Sequence, residues 1–288
     1  MLILFGLIVL FASIFGGYVL AQGKMLALWQ PYEILIIVGG AFGAMVIANP
    51  PQVLRAIGRH TKYVFAGTGF NKTYYDELMH LLNAVFVILR RQGGRKTLEE
   101  HIENPADSAL FNTYPRIAST PHVQNFIVDN LRLVLVESIE THELEALIEE
   151  EMHNHEVEMT RPVQALMTTA DALPGFGIMA AVLGIVITMQ SLDGPAGQIG
   201  THIAAALVGT FMGVFLGYGV VGPLAAAIEH SIKYEMKAYE LIKTSIVSHH
   251  GGTPPEISVD AGRKMLFGEN RPSFTEMEGI ISEKKQKT

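Results

Sequence analysis

The stretch Asp171–Ser191, DALPGFGIMAAVLGIVITMQS, decides the fold. An acid stands at its start, a proline and several glycines follow, and no charge lies inside it. A helix rises ~1.5 Å per residue and a bilayer core is ~30 Å thick, so roughly 17–25 apolar residues span it. Pro174–Ser191 meets that length, and so do Leu2–Ala21, Pro31–Asn49 and Gly200–Ala227. The predicted fold class is an all-α integral membrane protein with four transmembrane helices and a helical cytoplasmic domain between the second and third. The first span invites a second reading as a signal peptide, since VLA precedes Gln22. No Lys or Arg precedes Lys24, however, and the apolar run exceeds the usual signal core, which favours a retained span.

Composition agrees with a membrane protein that also has a large polar part. Of 288 residues, 49% are hydrophobic and 17% charged. There is no cysteine, so disulfide and thiol chemistry are excluded. A net charge of −7 argues against a nucleic-acid partner. Basic residues set the orientation. Only Lys24 lies in the two short loops, Gln22–Gln30 and Leu192–Ile199; the other 20 lie in Pro50–Ala170 and after the fourth span. Both large segments, and both termini, are therefore expected in the cytoplasm. The implied organisation is spans one and two in 1–49, a cytoplasmic domain in 50–170, spans three and four in 171–227, and a cytoplasmic helix and tail in 228–288.

The polar segments read as helical. Tyr74–Arg91 carries Leu78, Leu81, Leu82, Val85, Phe86 and Leu89 on one face, and the QGG after it is a break. Thr97 and Glu100 have capping-box spacing for a short helix through Ile102. ENPADSALFNTYP is turn-rich. From Val123 the pattern predicts one long helix with Phe126, Ile127, Leu131, Val134, Leu135, Ile139, Leu144 and Leu147 as its buried stripe. Its far half carries nine glutamates between Glu137 and Glu158, read as a solvated face. His153 and His155, two apart, point to different sides of a helix and do not make a metal site. Glu229–Ser248 is a polar helix ended by GGTPPE, with His249 and His250 exposed in a turn and a disordered tail from Lys284.

Enzyme signatures are missing: there is no phosphate loop, no HExxH and no GxSxG. The third and fourth spans carry small residues every four positions or so: Gly177, Ala181, Gly184 and Thr188, and Ala205, Gly209, Gly213 and Gly217. Such a ladder lets another helix approach closely, whether in this chain's own bundle or on a different polypeptide. Pro174 and Pro223 fall at the cytoplasmic ends of these spans. A proline at a helix start is ordinary, whereas an interior one loses a hydrogen bond and bends the chain. No Asp, Glu, Lys or Arg lies deep in any span; Glu33 and Asp171 stand near boundaries and Asp193 in a loop. Proton-moving membrane proteins ordinarily carry an intramembrane ionisable group, so any carrier must come from another chain.

The opening MLILFGLIVLFASIFGGYVLAQGKMLALWQPYEILIIVGGAFGA, then DALPGFGIMAAVLGIV, LVGTFMGVFLGYGVVGPLA and GRKMLF…RPSF, resemble the flagellar stator family MotA. So do ENP followed by YPRI, and FIVDNLRL. The likeness runs from Met1 to about Glu278. It implies a pentamer of this chain around a MotB dimer in the bacterial inner membrane, with MotB supplying the proton-accepting Asp. The glycine ladder then becomes a surface on which subunits and the partner helix slide. Carried over by motif, the proline pair that couples protonation to movement falls on Pro174 and Pro223. The charged pair that contacts the rotor protein FliG falls on Arg91 and Glu99, with Arg90, Arg95, Lys96 and Glu100 as added neighbours. Sodium-driven members carry a Thr in the third span and a Thr pair in the fourth, where this chain has Ala181, Gly209 and Thr210. With two of three hydroxyls missing, the implied coupling ion is H⁺, with no cofactor. The alternatives are a sodium-driven stator and an ExbB/TolQ-type energiser of outer-membrane processes, which resembles only the last two spans.

Overall fold

A computed structural model describes residues 2–67, 69–136, 138–190 and 195–282. Every regular element among them is helical. They divide into two compact units, one of residues 1–67 with 159–231, the other of 68–158 with 232–288. Asp193 and the tail from Lys284 lie outside the described residues.

In the first unit, α1 (Leu2–Leu20) leads through a 3₁₀ turn (Met25–Leu28) to α2 (Pro31–Ala48), and α3 (Pro51–Ala66) follows. Prolines at the first helical positions of α2 and α3 start both helices without sacrificing a bonded N–H. Among the described residues, four helical stretches are long and apolar enough to cross a membrane. Their side chains are mostly uncovered: Leu2, Leu20 and Ile47 are each at least 85% exposed. A small core of Ile37, Ala41, Leu173 and Ala180 joins α2 to the later helices, packed around by Phe176, Met212 and Leu216.

The second unit is built the opposite way. The helix α4 (Lys72–Arg90) starts at Asn71, whose side chain accepts from the Tyr74 N–H. It buries Tyr75, Leu78, Leu81, Leu82, Val85 and Phe86 almost completely. After α5 (Gly94–Glu103) come two single-turn helices, α6 (Ala109–Asn112) and α7 (Pro115–Ala118), then α8 (Pro121–Leu135).

The long helix expected from Val123 is two helices. α8 stops at Val136, whose backbone is extended, and α9 (Thr141–Gln190) starts afresh. The Glu143 carboxylate accepts from the Glu140 N–H, and His250 bonds the Ile139 carbonyl, which fixes the break. The new helix has its own phase. Leu144, Ile148 and Met152 are buried and Leu147 is 52% exposed, so Ile148 replaces Leu147 in the stripe. The described glutamates of this segment are exposed, as expected of a solvated face. His155 is half-buried against the Tyr239 ring.

The helix that carries the third apolar stretch does not begin at Pro174. α9 runs for 50 residues with both Pro162 and Pro174 inside it. After α10 (Ala196–Val214) a π-helical segment, Phe215–Val221, leads without interruption into α11 (Gly222–His250). His249 and His250 close α11 and are not free in a turn. His249 stacks on Phe86 with ring centres 4.4 Å apart and bonds the Thr253 carbonyl.

The string GRK…RPSF has a plain structural use in α12 (Pro255–Arg263) and α13 (Phe274–Ser282). Gly262 lies so close to α11 that a Cβ there would fall 2.6 Å from the Leu241 carbonyl oxygen. Arg263 donates to Asp260 at 2.8 Å and to the Pro272 carbonyl at 2.7 Å. Ser273 and Glu276 exchange bonds as a capping box for α13.

Candidate functional site: a backbone seam and a charged corner

The two small-residue ladders meet each other. A Cβ on Gly213 would lie 2.6 Å from the Leu173 oxygen and 2.9 Å from the Gly177 Cα; on Gly177 it would lie 2.9 Å from the Gly209 oxygen. Further along, a Cβ on Gly184 would reach the Ala206 Cβ at 3.0 Å. α9 and α10 thus pack backbone to backbone, and the ladder joins two helices of one chain. The expectation that this groove is a sliding surface is corrected: it is filled from within. Sequence spacing could not choose between the two because a small residue admits any helix.

What the seam leaves open is the other side of α9. Ile178, Met179, Val182, Ile185, Val186 and Met189 are each 47–60% exposed. No ionisable side chain lies among them.

Pro174 and the π segment form one junction. Pro174 has no N–H, so the Ala170 carbonyl one turn back has no helical donor there. That oxygen faces Gly217, where a Cβ would stand only 2.5 Å away, and the Pro174 Cδ would be 3.1 Å from it. Opposite, Gly222 donates to Gly217 in the wide i→i+5 pattern. Pro223 follows at once. The π spacing draws the preceding turn away from a ring that would otherwise meet its i−4 carbonyl. Pro223 itself is exposed in an apolar groove of about 350 Å³ shared with Ile3, Leu7, Leu10 and Tyr218.

Of the coupling-ion positions, Gly209 is buried, while Ala181 and Thr210 are partly exposed. A Cβ on Gly209 would meet the Ala180 Cβ at 3.3 Å and the Glu33 Cγ at 3.6 Å. By sequence Glu33 stands near a span boundary. It sits in the first turn of α2, but its side chain turns inward onto α10. Its Oε2 is buried with no hydrogen-bond partner.

The residues expected to contact the rotor lie together at the corner between α4 and α5. Gly93 takes a left-handed φ of 77° as N-cap, and Gly94 passes so near the end of α4 that a Cβ would strike the Ile88 carbonyl at 1.8 Å. The helix therefore starts at Gly94, earlier than the Thr97–Glu100 spacing suggested. Thr97 instead bonds back to the Gly93 carbonyl. Arg90, Arg91, Arg95, Lys96, Glu99 and Glu100 are all exposed around this turn. Arg90 also donates to the Gly252 carbonyl at 3.2 Å, which distinguishes it from Arg91.

A family model described as Motility protein A N-terminal matches residues 4–93, and one described as the MotA/TolQ/ExbB proton channel family matches residues 119–241. Chemotaxis protein LafT of Vibrio parahaemolyticus is 42% identical over 96% of this chain and 97% of its own. Motility protein A of Salmonella typhimurium is 40% identical over 96% of this chain and 94% of its own. In fold, the chain is similar to C. jejuni MotAB, with a TM-score of 0.75 at 20% identity over 94% of this chain and 97% of that one. It is also similar to the flagellar MotAB stator complex of Bacillus subtilis, with a TM-score of 0.66 at 22% identity over 96% and 98%. The chain belongs to the Motility protein A family, membrane-embedded stator subunits of the flagellar motor within a proton channel family, and is not an enzyme.

Proposed function

We propose that this stator subunit is proton-driven and works as a pentamer around a dimer of a MotB-type partner, turning the rotor through FliG. The observation that carries the reading is the open face of α9, apolar and without an ionisable group, on a helix whose other side is already packed. A path for protons needs a carrier on whatever covers that face, and the resemblance assigns it to an Asp on the partner's single helix. Lipid covers what the partner and neighbouring copies do not.

Ala181 and Gly209 support H⁺ over Na⁺. A desolvated Na⁺ needs several oxygen ligands, and of the three positions only Thr210 offers a hydroxyl. Pro174 and Pro223 act as the hinge pair, which the Ala170–Gly217 junction suits. Arg91 and Glu99, helped by Arg90, Arg95, Lys96 and Glu100, contact the rotor. Exposed charges of both signs fit a contact made and released repeatedly. Basic-residue placement puts both termini and the segment 50–170 in the cytoplasm, with the spans in the inner membrane.

Co-purification with a single-span partner bearing an N-terminal Asp tests the assembly. Rotation of cells with this stator alone, in sodium-free medium at constant proton-motive force, tests the ion. Speed holds without sodium and falls with a protonophore; arrest reversed by sodium would make the stator sodium-driven. Reporter fusions at Gly67 and Gly252 read cytoplasmic, and one at Gln22 reads periplasmic.

A further inference from the structure

A stator driven by protons has to collect them from a medium where they are scarce. Two ionisable side chains of the first unit stand unsatisfied on neighbouring helices. One is Glu33 on α2, whose Oε2 is buried without a partner and whose Cγ lies 3.6 Å from where a Cβ on Gly209 would be. The other is His202 on α10, whose Nδ1 is also buried without a partner. His202 and Gly209 are seven residues apart on one helix, so they share a face two turns, or ~10.5 Å, apart. A lone buried carboxylate is costly, and a neutral one still forgoes a hydrogen bond. A membrane-embedded acid is kept where it handles an ion or meets a partner.

We infer that Glu33 is a proton-binding station on this chain, loaded from the outer side of the membrane past His202 and placed behind Gly209. The inference rests on the orientation and proton coupling proposed above. Binding is a simple exchange: the carboxylate takes one proton from water and returns it, with no other bond made or broken. Few other charges face it. On α10 the titratable group is His202. Lys24 precedes the 3₁₀ turn and is exposed. On α9 the atoms nearest Gly209 belong to Ala180 and Gly177, neither of them ionisable, and its Asp171 is exposed. At 3.6 Å a methyl at Gly209 would stand in ordinary contact with the Glu33 Cγ, so the acid's side chain packs directly against α10 here. A collecting group matters most when external protons are few, so its loss is read best against external pH.

The test uses the full chain with its partner as the only stator in swimming or tethered cells. Glu33→Gln keeps size and removes the titrating proton; Glu33→Asp restores a carboxyl. Expected is a Glu33→Gln stator of normal membrane abundance that turns near parental speed at external pH ~6 and about twofold slower at pH ~8, with Glu33→Asp recovering much of the loss. His202→Gln shifts the same profile in the same direction by less. Parallel pH profiles for parent and Glu33→Gln overturn the inference. So does a Glu33→Gln chain that fails to accumulate while Glu33→Asp accumulates, since the carboxyl is then a packing group. Arrest of the parent itself on sodium removal is a different result, and it strikes the proton-coupling proposal instead.

Discussion

Gly213 and Phe86 are both buried, and they hold their surroundings by opposite means. Around Phe86, the second unit locks large side chains together: Tyr75, Leu78, Met79 and Leu82 on α4, with Tyr239 and Leu241 on α11. Around Gly213, the first unit presses main chain against main chain and leaves its large side chains outward. In water the first arrangement is stable by itself, because removing apolar area from solvent drives it. In lipid that drive is missing between helices, and close backbone contact takes its place. The second unit is made to keep a shape. The first is made to be surrounded.

The contrast can be broken most forcefully at Phe86. Phe86→Ala leaves a cavity beside the His249 ring and costs ~3–5 kcal/mol. A large fall in the unfolding midpoint of the purified chain, followed by tryptic cleavage within 72–135, is the expected readout. Next comes the seam. Gly213→Ala sets a methyl against a carbonyl that cannot swing aside, costing ~1–3 kcal/mol, and rotation is lost at reduced membrane abundance. Gly175→Ala, on the same helix but with nothing of this chain within 4 Å, is the folding control and leaves membrane abundance unchanged.

A gentler probe is pH. Burial lowers the His155 pKa below the ordinary 6.5, against the opposing pull of the Glu235 charge and with His122 adding to the fall. The neutral ring is therefore favoured in the folded state. Its stabilisation is present above ~6.5 and is lost as pH falls through that value and then through the lower folded one. Thermal unfolding of the detergent-solubilised chain shows a midpoint that drops on acidification across this range, and His155→Phe flattens the drop. Burial alone would raise the Asp260 pKa, but its bonds and charge contacts with Lys264 and Arg263 hold it below the usual carboxylate value. That contribution is present above the ordinary Asp value of about 3.8 and is lost only as pH falls below it, so the two effects separate on the pH axis.

The smallest effect on stability belongs to the charged corner. Exposed pairs are worth ~0.2–1 kcal/mol, so Arg91→Glu leaves abundance and unfolding unchanged while impairing swimming. Adding Glu99→Lys deepens the defect, and an opposite reversal in the rotor protein relieves part of it. Normal torque in the double variant would remove this corner from the rotor contact.

Much of this was legible beforehand, for identifiable reasons. The stripe Leu78–Phe86 was readable because one helix face meets one core. The long apolar helices were readable because length and apolarity suffice to find them. The break before Thr141 was not, since the apolar period of α8 runs on through Ile139 into Leu144 and conceals a change of phase. Pro174 misled for a related cause. A proline at a helix start is ordinary, but here the helix carries straight through, with the freed Ala170 carbonyl lying against Gly217. Glu33 was passed over because its sequence position is peripheral while its side chain is not. A long-range contact with a glycine leaves no trace in either local pattern.

The π segment at Phe215–Val221 also matters for how this chain can change its length. A π turn accommodates an extra residue without breaking the rod. Each residue in an α-helix accounts for ~100° of rotation, so the insertion sets which way every side chain from Gly222 onward points. Deleting one residue here would let the helix close up into ordinary α geometry and remain continuous. Yet Ala225 and Ile228, now fully buried, would swing about a third of a turn, and the position of Pro223 would pass to a different face. Length variation in this stretch is therefore silent to hydropathy and to helix content but not to aim, and a one-residue deletion should give a chain that inserts normally and does not turn the rotor.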